Sequence, residues 1–246
     1  MKNVILCEGA TDGDLLQYFM RTVHHWKDDG EDDNVFVSNA VWFRKLSKDS
    51  NRLDVVSCKG SSKLIANLNT ILEFNYNATK LEAYEKIAIV TDRDEVGTEK
   101  DFLQSIETKL AQYNITSAEP MLHNEWRECQ YVTSNGRTRT VEILVLVIPF
   151  AETGAMETFL LESISKKDPY DAQIIQKGNQ FVDTIDPDRK YLNKRRYIIK
   201  AKFDVYFSVR TAAEQFKQRQ NILKGISWED YIDLQGDFQK LDYLNV

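Results

Sequence analysis

The chain has 246 residues, of which 42% are hydrophobic and 28% charged, a balance that sustains a globular core and excludes wholesale disorder. Its longest apolar run, "ILVLVIPF", is far short of the roughly 20 residues a membrane span needs, and an apolar strand begins within a few residues of Met1, so no signal peptide is expected and the chain reads as cytoplasmic. The formal charge of −6 argues against a nonspecific coat on nucleic acid and leaves room only for a local basic groove.

Apolar runs and helix-period segments alternate through the first two-thirds. "NVILC" reads as a buried strand, followed by a helix with Leu15, Leu16, Phe19 and Val23 on one face. "LDVVSC" is the second strand, Gly60 its turn, and Leu64, Leu68, Ile71 and Leu72 mark the next helix. "KIAIV" is the third strand, with an amphipathic helix behind it whose expected cap is Thr98. Asn135-Gly136 then signals a tight hairpin between "EWRECQYV" and a long strand that Pro149 ends, and "GAMETFLLESI" opens a helix.

The alternation predicts an α/β fold with a mostly parallel sheet of about four strands, flanked by helices and carrying a β-hairpin inserted at about 124–148. That unit spans residues 1–165. Residues 166–246 are expected to form a helical extension packed on the same domain. Its start, "SKKDPYDAQIIQKGNQ", reads as loop; a long helix is expected from Asp186-Pro187, with Leu192, Ile199, Phe203 and Tyr206 as its stripe, and a final one from "SWED" at Ser227.

Ligands of open α/β sheets sit beyond the carboxyl ends of the strands. Glu8 follows the first strand, Asp92 and Asp94 the third, and Glu152 and Glu157 the last, so acids from distant parts of the chain should meet at one edge. Asp92 and Asp94, two apart, should point to one side of an extended strand end, and Gly9 should supply the sharp turn that faces Glu8 to the cleft. Two carboxylates ~4 Å apart repel by roughly 4 kcal/mol at an effective dielectric near 20, so such a cluster keeps protons or holds a cation. An all-oxygen set favours Mg²⁺ or Mn²⁺ over zinc.

Plainer readings stand beside this one. Asp12, Thr11 or Asp14 could cap the first helix, and Glu157 suits a helix start. Arg93, Lys59 or Lys63 could pair with the aspartates at the surface, and Glu152 and Glu95 read as structural. Cys7, Cys58 and Cys129 show no paired spacing and read as small buried hydrophobes. His24 and His25 are adjacent and diverge on a helix, a poor metal pair.

"CEGATD" resembles the E-G-x-x-D motif of toprim (topoisomerase–primase) domains, and "VTDRDE" resembles that family's D-x-D motif, each after an apolar strand. "VIPFAETGAMETFLL" is similar to the corresponding part of small stand-alone toprim proteins and of the toprim half of overcoming-lysogenization-defect nucleases. The resemblance covers residues 2–165. It implies that Glu8 acts as general acid/base or metal ligand, that Asp92 and Asp94 bind Mg²⁺, and that Asp12 and Glu157 build a second metal position.

The leading expectation is therefore Mg²⁺- or Mn²⁺-dependent phosphodiester hydrolysis on DNA or RNA. A lysine should assist at the phosphate, with Lys59, Lys63, Lys200 and Lys202 as candidates. The basic run Arg189, Lys190, Lys194, Arg195, Arg196, Lys200 and Lys202 would bind the nucleic-acid backbone, or else form a solvated helix face. No ATPase P-loop is present, so an ATPase would be a separate partner; the hairpin edge could support a homodimer. The alternatives are a non-catalytic toprim scaffold in a nucleic-acid-processing complex and, third, nucleotidyl transfer.

Overall fold

The computed structural model describes residues 1–31, 40–58, 60–214 and 223–245. Their order is β1 (Lys2–Cys7), α1 (Ala10–Thr22), β2 (Lys27–Glu31), β3 (Ala40–Lys48), β4 (Asn51–Cys58), α2 (Ser61–Asn77), β5 (Lys86–Asp92), α3 (Thr98–Gln112), β6 (Thr116–Ser117), β7 (Trp126–Val132), β8 (Thr138–Ile148), α4 (Met156–Lys167), α5 (Pro169–Ile185) and α6 (Arg195–Arg210). A short helix, Ile232–Asp237, and a 3₁₀ segment, Gln239–Asn245, close the chain.

The protein is α/β, with one mixed sheet of eight strands in the order β2-β3-β4-β1-β5-β8-β7-β6. Strands β4, β1, β5 and β8 run parallel to one another. The antiparallel strands β2, β3, β7 and β6 extend both edges, so the sheet is twice the size the sequence led us to expect. The shortfall has a cause: "KDDGE" in β2 carries no apolar alternation, and β6 is two residues long. The expected hairpin exists, but its second arm is not inserted. β8 pairs with β7 on one side and with β5 on the other, so it is also a central parallel strand.

Side-chain alternation divides the core into two layers. Val4, Leu6, Ile87, Ile89 and Val145 face α2 and α3. Ile5, Cys7, Ala88, Val90 and Leu146 face α1 and α4, where the C-terminal segment adds Trp228, Leu234, Phe238 and Leu244. That segment is tied down by hydrogen bonds: Asn3 Nδ2 donates to Leu244 O at 2.9 Å, and the buried Lys86 Nζ to Tyr243 O at 2.6 Å. All three cysteines are free and buried, and burial pushes the Cys7 thiol up.

Much of the segment expected as loop, residues 165–180, forms α5, which runs from Pro169 to Ile185. Asp168 caps it by accepting from Tyr170 N at 2.8 Å, and Pro169 takes the first position. Ile175, Gly178 and Val182 are its buried stripe. Gly178 lets the helices approach closely: a Cβ there would stand 3.1 Å from Val205 Cγ1 of α6, so that side chain would have to shift. The second Asp-Pro pair behaves differently. Asp186 accepts from the backbone N–H groups of Lys190, Tyr191 and Leu192, which closes a loop, and α6 starts only at Arg195. An identical dipeptide thus starts a helix where an apolar stripe follows at once and a turn where "DRKYLNK" follows. Two further caps differ: α3 is capped at Gly97, and Ser227 precedes a 3₁₀ turn, Trp228–Asp230, without a side-chain capping bond.

Candidate active site

The site is assembled where β1 and β5 end. Glu8 directly follows β1, and its Oε2 accepts from Thr91 Oγ1 at 2.9 Å. Asp92 is the last residue of β5, and its Oδ1 accepts from Met156 N at 3.0 Å, so the positive end of α4 is aimed at it. Backbone bonds lock this register: Arg93 N donates to Ile148 O, and Gly154 N to Arg93 O, which ties the turn after β5 to the loop after β8. On the α1–α4 side, Asp12 and Glu157 are buried in the first turns of their helices.

Gly9 is extended at φ −124°, so it supplies no left-handed turn. Its contribution is proximity: Gly9 N donates to Asp12 Oδ2 at 2.7 Å. The positive-φ turn belongs to Gly60, at φ +98°, whose N–H donates to Glu8 O at 3.2 Å. The cap of α1 is thus Gly9, with Asp12 at the third helical position holding its N–H, and Asp12 also stands among the acids.

Burial leads the electrostatics, and crowding adds to it. Burial, then Glu157 and Glu8, push the Asp12 carboxyl up to about 8, while the Gly9 N–H and Lys200 oppose the shift. Burial, then Asp12, Glu8 and Glu157, hold Asp92 well above the usual carboxylate range. Burial and the neighbouring carboxylates thus hold Asp12 and Asp92 toward their protonated forms, and a divalent cation would relieve them. The donor set is all oxygen, which suits a hard cation such as Mg²⁺ or Mn²⁺. Among the described residues, no three His, Cys, Asp or Glu side chains already stand in coordination geometry.

Glu8 and Asp92 open onto a cleft of about 400 Å³ between α2 and α3, with Ser61, Ser62, Thr91 and Asp94 in its lining. Asp94 lies beyond the end of β5, so strand alternation does not carry it to the side of Asp92. It is exposed at the cleft rim, 3.8 Å from Arg195 Nη1. Glu95, assigned to structure, and Asp101, not foreseen, also line the cleft. Arg93 is turned away from the acids: its guanidinium donates to Pro149 O, Phe150 O and Glu99 Oε2.

The basic candidates scatter. Lys59 lies outside the described residues, and Lys63 is exposed on the first turn of α2. Lys202 is not over the acids; it pairs with Asp183 at 2.8 Å. Lys200 is exposed and near enough to Asp12 to act on it electrostatically. Arg189, Lys190, Lys194 and Arg196 are exposed before and at the start of α6, with Lys194 and Arg196 over the ring of Tyr197. Thr91 was missed, although a threonine at the buried end of an apolar strand, one residue before an aspartate, is a readable signal. The backbone donor at Met156 has no sequence signal of its own.

No helix among the described residues is long and apolar enough to cross a membrane. No match is found among curated proteins. Among solved structures, the chain is similar to hypothetical protein PH0156 from Pyrococcus horikoshii OT3, with a TM-score of 0.53 and 15% identity over 99% of this chain and 98% of that one, which is a likeness of fold alone. Overlap with the fosfomycin resistance protein FosX from Listeria monocytogenes, at 8% identity over 60% of this chain and 90% of that one, has a TM-score of 0.18 and carries no argument. Residues 2–232 match the family described as "Protein of unknown function (DUF3226)", and the chain belongs to that family.

Proposed function

We propose that the protein is a divalent-metal-dependent phosphodiesterase acting on nucleic acid, with a toprim-like arrangement of its four parallel strands. The observation that carries this reading is the grouping of Glu8, Asp12, Asp92 and Glu157 around the carboxyl ends of β1 and β5, where, beyond the effect of burial, Glu157 and Glu8 push Asp12 up and Asp12, Glu8 and Glu157 push Asp92 up. Such a group has affinity for positive charge built into it. Asp12, Asp92 and Glu157, with Glu8, would hold Mg²⁺ or Mn²⁺, which when bound supplies Lewis-acid stabilisation of phosphoryl oxygens and a more acidic water.

The chain's own residues have distinct tasks. Thr91 Oγ1 holds one Glu8 oxygen and so orients the carboxylate at the cleft mouth, where it takes a proton from the attacking water. Met156 N–H fixes Asp92 Oδ1. Lys200 adds positive charge on the phosphate side. The basic segment around Lys194 and Arg196 follows the nucleic-acid backbone.

The test is a cleavage assay with labelled single-stranded DNA, duplex DNA and RNA in Mg²⁺, Mn²⁺ or EDTA, with Glu8→Ala alongside. Metal-dependent cutting should fall about 10²–10³-fold in the variant, the usual cost of removing one preorganised catalytic group. Equal cutting by both proteins overturns the assignment. A scaffold reading is favoured by one observation, the Arg195–Asp94 pair, which places a cation of the protein itself at the cleft rim. Binding of nucleic acid with no cutting under any condition would support it.

A further inference from the structure

Beside the acid cleft lies a second space. A cavity of about 580 Å³ opens between α4, α5 and α6, within the range of small-molecule sites. Leu161, Ile175, Ile198 and Ile199 give it apolar walls. Asn179 lines it too, and the buried Oδ1 of that residue has no hydrogen-bond partner among the described residues. Three cations, Lys166, Arg195 and Lys202, stand around it with one carboxylate, Glu162; Lys202 is held by Asp183, which leaves Lys166 and Arg195 as the looser pair.

Two features connect this cavity to the acids. The Thr153–Gly154 turn lines it, and two residues on, Met156 N holds Asp92. Arg195 lines it while its Nη1 lies 3.8 Å from Asp94, so one guanidinium borders both spaces. Its pairing there, like that of Lys166 with Asp233 at 3.8 Å, is too long for a hydrogen bond and easily exchanged for a phosphate.

We propose that this cavity binds a nucleotide unit, with the base between the apolar walls and against the Asn179 amide and the phosphate directed past Arg195 toward the acid cleft. This rests on the reading of the cleft as the place where a phosphodiester is held, and it narrows the substrate to one presenting an unpaired base. The chemistry matches part by part. A flat base fits walls of leucine and isoleucine; an amide offers a donor and an acceptor to the edge of a base; and a guanidinium pairs with phosphate. A paired base could not enter without leaving its stack. The same unit could be a free mononucleotide or the end of a single strand.

The experiment is calorimetric titration of the full chain in EDTA with AMP, CMP, GMP and UMP, a single-stranded hexanucleotide, and the same hexanucleotide as duplex. Two variants are compared: Ser165→Trp, which fills the cavity from the α4 face, and Asn179→Ala, which removes the amide without adding bulk. Mn²⁺ titration of each protein reports on the acids separately. At least one mononucleotide or the single strand should bind in preference to duplex, and both variants should weaken it about tenfold or more with Mn²⁺ affinity retained. Equal affinity for the mononucleotide and the hexanucleotide assigns the free nucleotide; tighter binding of the hexanucleotide assigns a strand end. No nucleotide binding by the parent protein, or undiminished binding by both variants, overturns the proposal, and Mn²⁺ binding in that case leaves the metal reading standing. Nucleotide binding lost in the variants of a chain that takes up no Mn²⁺ supports the cavity and removes the metal reading instead.

Discussion

The acid cleft and the cavity between α4, α5 and α6 meet at the Arg195–Asp94 pair and are built from opposite materials. The cleft joins carboxylates that are far apart in sequence, Glu8 and Asp92 above all, and their meeting depends on β1 and β5 being neighbours in register. The cavity is made of helix stripes. Thr158, Leu161, Glu162 and Ser165 of α4, and Arg195, Ile198, Ile199 and Lys202 of α6, each follow the spacing i, i+3, i+4, i+7. Helix α4 serves both, with Glu157 among the acids and Thr158 toward the cavity. Charge accumulates in the first place and apolar surface with surrounding cations in the second. The difference teaches that sheet register concentrates like charge at a strand edge, while helix packing sorts residues by face.

The largest effect should come from breaking what makes the two regions one body. Trp228 is fully buried in the core layer that holds α1 and α4. Trp228→Ala should cost about 3–5 kcal/mol in denaturant unfolding. If cleft and cavity are one cooperative unit, tryptophan fluorescence and backbone circular dichroism should fall together in the variant as in the parent. Separate transitions would show that the helical side unfolds alone.

A smaller effect sharpens the charge side. A carboxyl pushed up to about 8 binds its proton more tightly in the folded chain than in the unfolded one, so the native protein takes up protons between about pH 4 and 8. Its stabilising contribution is therefore complete at acid pH and is lost as pH rises through that window. Asp12→Asn keeps an acceptor for Gly9 N and removes the titration. In EDTA the variant should gain at least about 1 kcal/mol over the parent on going from pH 5 to pH 8, measured by urea melts. A pH dependence identical to that of the parent would mean that neither burial nor its neighbours hold the proton on Asp12.

The smallest effect concerns the basic side. Arg196 and Lys194 are exposed, so neither contributes measurably to folding. Arg196→Gln should weaken binding to single-stranded DNA a few-fold and reduce the slope of log affinity against log salt by about 0.7. An unchanged slope would assign the residue to a solvated face.

The sequence by itself determined the central elements. β1, β4, β5 and β8 are apolar runs, α1 to α4 have clean helical stripes, and the positions of Glu8, Asp12, Asp92 and Glu157 at strand ends and helix starts follow from those boundaries. Local rules suffice there because periodicity and caps act within a few residues. Those rules failed where the signal was shared or short: two Asp-Pro pairs with different outcomes and a strand of two residues. Only the tertiary structure decided that Arg93 turns to Glu99, that Arg195 reaches Asp94, and that a cavity opens beside the acids. Each of those outcomes depends on which segments pack together across long stretches of chain, and that is set by the burial of whole faces rather than by any residue's neighbours in sequence.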